Sequence, residues 1–214
     1  MMLSLSQLER ARRNPAKFVA AEMRRPGSFF NSKTFYFYFV LAAQKFHRGE
    51  LTERKALDFF ALKCQEKLES LKGFEQKLPL YWKKLERYFE LFEALGNQAI
   101  QTQKRVRFSP APPHVLTGAI ARFDIVPAGG YAATLFEMKT SDWKNQIRMP
   151  ILQRALADEL GCGLEEVKMG VYCVEAEEHS YTTFGEDAVL EAIAGVTHLL
   201  GELERRSQAA QRKP

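Results

Sequence analysis

The sequence predicts a fold of the α/β (α+β) class, in which an N-terminal helical region precedes a small mixed sheet flanked by helices. Two observations along the 214-residue chain support this prediction. Apolar residues recur at helical spacing through the first hundred residues, and from Val115 they follow the shorter period of β-strands. A helix-like segment then separates two strand-like segments, which is typical of parallel strands joined by a right-handed crossover.

These changes divide the chain into four predicted segments. Residues 1–100 are predicted as a helical region that packs on the core, 101–114 as a connector, and 115–205 as the core itself. A short edge strand is the alternative for the connector. The basic tail, 206–214, is predicted to be disordered. Because 46% of the residues are hydrophobic, a chain of this length can bury one sizeable core.

The helical region is predicted to contain several amphipathic helices. A Ser cap opens the first, and Pro15 divides it into two short helices. The aromatic segment 33–47 could form a helix or a strand, and we favour a buried helix. Helices over 52–71 and 78–96 follow, because each has an apolar stripe at helical spacing. Gly96 is typical of a helix end.

The core segment is predicted to begin with two strands from Val115 onward, joined by a hairpin turn at 127–130 (PAGG). The other predicted elements are a helix over 145–161, a third strand over 167–177 and a final helix over 186–210. Within the first of these helices, Pro150 suits a first-turn position, so the regular helix is expected to start near Met149.

The composition excludes several classes of protein. No apolar stretch is long enough for a transmembrane helix, and the N-terminus lacks the apolar core of a secretory signal. The three scattered cysteines fit a reduced compartment, so we expect a cytoplasmic protein without a structural zinc or iron–sulfur site. The sequence also has no P-loop, no Rossmann glycine signature and no GxSxG motif.

A net charge of +5 makes nucleic acid a plausible partner. The basic residues are concentrated in four short runs, at 10–18, 24–25, 104–107 and 205–214. We expect the N-terminal run and residues 104–107 to contact phosphates. Such runs also serve solubility alone, and that reading stays open.

Two predicted strands carry acidic residues near the hairpin. Asp124 interrupts the apolar run IARFDIV, and Glu137 and Lys139 end the next strand in FEMKT. Alternate residues of a strand share a face, so Glu137 and Lys139 are expected to project together. The turn lies about midway between the two acids, so their carboxylates are expected to be close in space. A solvated cluster of ion pairs on a hairpin is the alternative.

Two close carboxylates repel each other unless a cation lies between them, and a hard divalent ion suits oxygen ligands. The pattern therefore predicts Mg²⁺ or Mn²⁺ beside Asp124 and Glu137. A neighbouring lysine can orient or deprotonate water, or stabilise the charge that grows on a phosphate. This role is assigned to Lys139.

The order of Asp124, a hairpin, Glu137-x-Lys139-Thr and a helix with a Gln near its start resembles the PD-(D/E)XK nuclease superfamily. It resembles most the RecB-type and CRISPR-associated exonuclease-like branch, to which the opening LSLSQLERARRNPAKF is also similar. The resemblance covers residues 1–60 loosely and 115–175 more firmly. It implies a restriction-endonuclease-like core in which the backbone carbonyl of Met138 is a further metal ligand.

The resemblance also implies a metal ligand from an upstream helix, and His47, Glu53 and His114 are the candidates. Iron–sulfur cysteines of the kind that some CRISPR-associated members carry are absent.

The helix after the Glu-x-Lys motif departs from the family pattern. A Gln and a Tyr about four residues apart are expected, yet Pro150 stands where Gln146 would place the Tyr. Gln146 is therefore one candidate for substrate binding, and if the helix begins later, Arg148 and Gln153 are the polar candidates instead. A solvated surface position is the alternative for each of the three.

The first hypothesis is a Mg²⁺- or Mn²⁺-dependent nuclease that hydrolyses phosphodiester bonds of single- or double-stranded DNA. The alternative is a catalytically inactive protein of the same fold that binds nucleic acid or recruits a protein partner. A third possibility is an interaction scaffold whose helical region is the functional part. None of these hypotheses requires a membrane.

Overall fold

The computed structural model describes residues 2–24, 34–110 and 112–211. Within these ranges, seven α-helices flank a six-stranded mixed sheet, which confirms the predicted fold class. None of the described helices combines the length and the apolar character needed to cross a membrane. Arg25 of one basic run and residues 212–214 of the tail lie outside the described ranges.

The helices are α1 (Leu5–Arg13), α2 (Pro15–Arg24), α3 (Phe35–His47), α4 (Glu53–Leu68), α5 (Phe74–Leu95), α6 (Arg148–Leu160) and α7 (Glu186–Gln211). The strands are β1 (Met2–Ser4), β2 (Gln98–Phe108), β3 (Val115–Ile125), β4 (Tyr131–Glu137), β5 (Val167–Cys173) and β6 (Glu178–Thr182). Short 3-10 helices cover Trp143–Asn145 and Leu164–Glu166.

The N-terminal helices begin where the sequence predicts. The Ser4 hydroxyl accepts a hydrogen bond from the Gln7 backbone N–H, and the Gln7 side chain accepts one from the Ser4 N–H. This capping box starts α1, and Pro15 starts α2 as predicted. Thr34 caps α3, so the aromatic segment is a helix and not a strand.

Strand β3 pairs with three other strands. Strand β2 pairs with it antiparallel along one side, while β1 (parallel) and β4 (antiparallel) share the other side. Strand β4 pairs parallel with β5, which pairs antiparallel with β6. Helix α6 connects β4 to β5, so the predicted crossover between parallel strands is confirmed.

The turn between β3 and β4 is the predicted hairpin. The Val126 N–H donates to the Gly130 carbonyl at 3.1 Å, and Gly129 and Gly130 have positive φ angles of 94° and 79°. A Cβ at position 130 would lie 2.4 Å from the Glu166 carbonyl oxygen, so this turn requires glycine there.

Four elements differ from the prediction. Most of the predicted connector belongs to β2, an edge strand of 11 residues whose exposed side carries polar residues. Strands β1 and β6 were not predicted, because β1 is very short and β6 (EHSYT) has no run of apolar residues. Helix α7 continues to Gln211, so residues 206–211 of the tail are helical.

Each face of the sheet packs on its own set of helices. The α6 face, named for its main helix, packs Phe123, Ala133 and Leu135 against α1, α6 and α7. The α5 face packs Tyr172 and, beyond β5, Val174 against α3, α4 and α5. This division decides which strand residues can meet.

Candidate functional site

Glu137 ends β4 and forms an ion pair at the start of α6. Its Oε1 atom accepts a hydrogen bond from Nη2 of Arg148 at 2.6 Å, and its Oε2 atom accepts one from the Ser141 hydroxyl. The two charged side chains are 15% and 18% exposed. Ala133, Leu135 and Glu137 are every second residue of β4, so their side chains share a face. Because Ala133 and Leu135 pack on the α6 face, Glu137 projects from that face too.

Helix α1 supplies a second carboxylate beside this pair. Oε1 of Glu9 accepts a hydrogen bond from the backbone N–H of Arg148 at 2.9 Å. Arg148 is the first residue of α6, so its N–H has no partner within the helix. Glu9 therefore caps the start of α6 and ties α1 to it.

An open cavity of about 870 Å³ lies between α1, the end of β4 and the start of α6, and we call it the α1 groove. Its charged lining residues are three arginines and two glutamates, namely Arg10, Arg13, Arg148, Glu9 and Glu137. Hydroxyl and amide groups complete the lining, among them those of Ser141 and Gln146. The groove therefore offers many hydrogen-bond donors to an anion.

Asp124 lies on the other face of the sheet. Both of its carboxylate oxygens accept hydrogen bonds from Nε of Arg122, at 3.0 and 2.9 Å, and Asn97 donates to Oδ2 at 3.3 Å. Both members of this ion pair are fully buried. Burial raises the pKa of Asp124, and the neighbouring Arg122 opposes that rise.

The register of the hairpin separates the two predicted metal ligands. Asp124 pairs with Ala132, and Glu137 is five residues further along β4. An odd separation places the two carboxylates on opposite faces, and five residues of strand span about 16 Å. The predicted convergence of Asp124 and Glu137 around one ion is therefore wrong.

Lys139 was predicted to project on the same side as Glu137, and the structure does not show this arrangement. Strand β4 ends at Glu137, so the alternation of a strand no longer applies two residues later. The exposed Lys139 side chain lines a separate cavity of about 220 Å³ with Cys173 and Glu178. No ion pair joins it to another described residue. Ser141 lines both this cavity and the α1 groove.

The backbone carbonyl of Met138, predicted as a metal ligand, already accepts a hydrogen bond within the protein. It accepts a hydrogen bond from the Glu175 N–H at 2.9 Å, while the Met138 sulfur accepts one from the Tyr81 hydroxyl at 3.3 Å. Met138 thus packs toward α5, on the opposite side from Glu137.

The three candidate upstream ligands also lie away from Glu137. His47 bonds the Tyr88 hydroxyl at 2.6 Å on the α5 face, where burial and then Arg122 lower its pKa to about 2. Glu53 is exposed at the start of α4, and His114 lies 3.5 Å from Glu204 of α7. None of the three lies beside Glu137, and the assignment of an upstream metal ligand stays a prediction. Across the described ranges, no three His, Cys, Asp or Glu side chains group as a metal site.

The predicted substrate-binding residues separate into two kinds. Gln146 and Arg148 line the α1 groove, where Gln146 accepts a hydrogen bond from Nε of Arg148 at 2.6 Å. Gln153 is fully buried; its amide donates to the carbonyls of Leu164 and Phe184 and accepts from the Phe184 N–H. Gln153 therefore ties two loops together, and its prediction as a substrate contact is wrong.

Only part of the basic run at 104–107, which was predicted to contact phosphates, is exposed to a ligand. Lys104 is 8% exposed and pairs with Glu159 at 2.7 Å, whereas Arg105 and Arg107 are exposed. Trp143, 6% exposed, packs in the core of the α6 face.

Sequence reasoning missed Glu9 and did not connect the α1 arginines to Glu137. The signal available was a single acid within a basic amphipathic helix, where Leu5, Leu8 and Ala11 are buried. Which strand end that helix covers is a tertiary contact, and the pattern of one helix cannot show it.

The comparisons with known proteins concern the fold. The chain matches the "Putative exonuclease" of Eubacterium rectale with a TM-score of 0.52 and 12% identity, over 85% of this chain and 70% of that chain. The structure of SSO0001 gives a TM-score of 0.28 at 10% identity, over 86% and 83% of the two chains, which is too low to support an argument. No protein-family model and no curated protein matches the sequence. The chain therefore shares its fold with the first of these proteins, and its place in the RecB-type branch stays a prediction.

Proposed function

We propose that this protein binds nucleic acid through the α1 groove, on a nuclease-like fold, without hydrolysing phosphodiester bonds at a two-carboxylate metal site. One observation carries the proposal. Asp124 and Glu137 project from opposite faces of the sheet, and each carboxylate is already paired with an arginine.

The residues present do not fit Mg²⁺ or Mn²⁺. Such ions need several oxygen ligands around one point. Both oxygens of Glu137 already accept hydrogen bonds, and the positive guanidinium of Arg148 would repel an ion there. Asp124 is fully buried beneath Arg122 and Asn97, so it cannot turn toward Glu137 without opening the core.

The charge of the groove supports a polyanionic partner. Three arginines line it against two glutamates, and the whole chain carries a net charge of +5. Phosphates of single- or double-stranded DNA offer repeated negative charges to such a surface, and their binding weakens as salt displaces the contacts. A protein partner with an acidic segment would meet the same groove.

Labelled single- and double-stranded DNA, incubated with the full chain in Mn²⁺, Mg²⁺ or EDTA, tests the proposal. We expect a gel shift of equal strength in all three solutions, a loss of that shift at high salt, and no cleavage products. Products that appear only with the metal, and disappear with Lys139→Ala, would overturn the proposal. Neither shift nor cleavage would point instead to partner recruitment by α3, α4 and α5.

The second candidate is the metal-dependent DNA nuclease of the first hypothesis. Its support is that Glu9 and Glu137 line one groove, with Lys139 two residues further along the chain from Glu137. The fold is shared with the protein named "Putative exonuclease". Arg148 would first have to leave Glu137. Metal-dependent cleavage in the same assay decides in favour of this candidate.

A further inference from the structure

We infer that Arg148 is the phosphate-contacting residue of the α1 groove, and that Glu137 positions its guanidinium and binds no metal. The inference rests on the proposed function and makes it specific. Glu137, the glutamate of the Glu-x-Lys motif, was predicted to bind a metal ion. Here its carboxylate instead holds the cationic side chain of Arg148.

The Arg148 side chain is fixed along one edge. Nη2 donates to Glu137 and Nε donates to Gln146, each at 2.6 Å. The backbone N–H of the same residue is held by Glu9 at 2.9 Å. An arginine whose fork is already oriented loses less side-chain entropy when it binds an anion.

The opposite edge of the guanidinium has capacity for a ligand. Nη1 of Arg148 makes no hydrogen bond to any described residue, so both of its N–H groups remain for an acceptor. The side chain is 18% exposed and lines the α1 groove, so a ligand in the groove can reach it. One N–H of Nη1 and the second N–H of Nη2 lie side by side at the end of the guanidinium, and such a two-nitrogen edge suits the oxygens of a phosphate.

The charges around Arg148 leave the groove positive. Glu137 is matched by Arg148, and Glu9 lies 4.0 Å from Nη1 of Arg12. Arg13 lines the groove, is exposed and forms no ion pair with the described part of the chain. A phosphate beside Arg148 would therefore gain from Arg13 without facing an unmatched carboxylate.

Two charge-removing variants separate this arrangement from a metal site, because the two models predict opposite signs. If Arg148 contacts phosphate, Arg148→Gln weakens binding of single-stranded DNA by roughly tenfold or more, as expected for a lost charge-assisted contact. Glu137→Gln then leaves binding unchanged or strengthens it, because the carboxylate no longer competes for the guanidinium. If Glu137 held a metal that bridges to phosphate, Glu137→Gln would weaken binding and Arg148→Gln would not.

Arg87→Gln is the matched control for the loss of one positive charge. Arg87 lies on α5, beyond the other face of the sheet, where it is 51% exposed and pairs with Glu90. Arg148→Lys keeps the charge but loses the planar fork, and we expect an affinity between those of wild type and Arg148→Gln. Thermal unfolding of every variant tests whether each is folded.

The assay uses the full chain in Mg²⁺ and, in parallel, in EDTA, with the same oligonucleotide carrying a 5′-phosphate or a 5′-hydroxyl. The comparison of Glu137→Gln with Arg148→Gln is made in Mg²⁺, where an ion at Glu137 could bind. An Arg148→Gln effect on both oligonucleotides assigns the contact to backbone phosphates, and an effect on the first alone assigns it to a terminal phosphate. Equal affinities for Arg148→Gln and Arg87→Gln would overturn this inference while leaving the proposed function standing. No binding by the wild-type protein would overturn both.

Discussion

An arginine–carboxylate pair lies at each face of the sheet, and the two pairs differ in their surroundings. On the α5 face, Arg122 and Asp124 are both fully buried. On the α6 face, Arg148 and Glu137 are 18% and 15% exposed and border an open groove. The chemistry is the same, but water and ligands can reach only the second pair.

The buried pair is saturated with contacts. Arg122 donates to the hydroxyls of Tyr88 at 2.6 Å and Tyr181 at 3.0 Å, and its guanidinium carbon lies 4.4 Å from the ring centroid of Phe92. Every edge of this guanidinium faces protein, so a ligand could replace Asp124 only if the core opened. Asp124 on the α5 face thus has a structural role, whereas Glu137 on the α6 face is accessible to water and ligands.

Breaking the buried pair should produce the largest effect. Arg122→Met leaves the Asp124 carboxylate buried without its partner, and we expect the free energy of unfolding to fall by about 3–5 kcal/mol. Denaturant unfolding measures the change. Removing both charges, as Arg122→Met with Asp124→Leu, should recover most of the loss. A double variant as unstable as the single one would show that the tyrosine contacts of Arg122, and not the charge pair, dominate.

The second-largest effect should come from lowering the pH, which reduces the free energy of unfolding through two histidines of the α5 face. Burial and then Arg122 lower the pKa of His47 to about 2 and that of His179 to about 3. Below the unfolded-state pKa of about 6.5, the unfolded chain binds protons that the folded chain does not, so stability falls as pH falls. The slope is at most about 1.4 kcal/mol per pH unit for each histidine, measured by denaturant unfolding between pH 7 and about pH 5.

His179→Phe sharpens this measurement. Both ring nitrogens of His179 are buried without a hydrogen-bond partner in the described chain, and its ring lies 4.7 Å from that of Tyr172. Phenylalanine keeps the ring contact and removes the titration, so the slope of stability against pH should fall by about half. An unchanged slope would assign the acid sensitivity to other groups.

Breaking the accessible pair should cost much less stability. Arg148→Gln leaves Glu137 beside the Ser141 hydroxyl and an open groove, so water can solvate the carboxylate. We expect a loss of about 1 kcal/mol in unfolding free energy, as for partly exposed ion pairs. A loss as large as that of Arg122→Met would mean that the two faces do not differ in the way described.

Added metal should have the smallest effect. If no Mg²⁺ or Mn²⁺ binds the native state near Glu137, the melting temperature should be the same in EDTA and in either ion. Glu137→Gln is the control, since any specific stabilisation by metal at this site must vanish in it. A rise in melting temperature that this variant abolishes would favour the nuclease candidate.

The sequence by itself determined the local structure and the chemistry that is available. The cap at Ser4, the break at Pro15, the turn at 127–130 and the helical and strand periods depend on neighbouring residues, which a sequence displays directly. Strand β6 was not predicted, because it lacks the run of apolar residues that marks a strand in a sequence.

Only the tertiary structure decided which side chains meet. The register of β3 against β4 puts Asp124 and Glu137 on opposite faces, and the end of β4 at Glu137 releases Lys139 from the strand alternation. The packing of α1 brings Glu9 to Arg148, 139 residues away in sequence. A shift of register by one residue reverses the face of every side chain, and the packing of the whole core selects that register, so residue spacing alone could not determine the site.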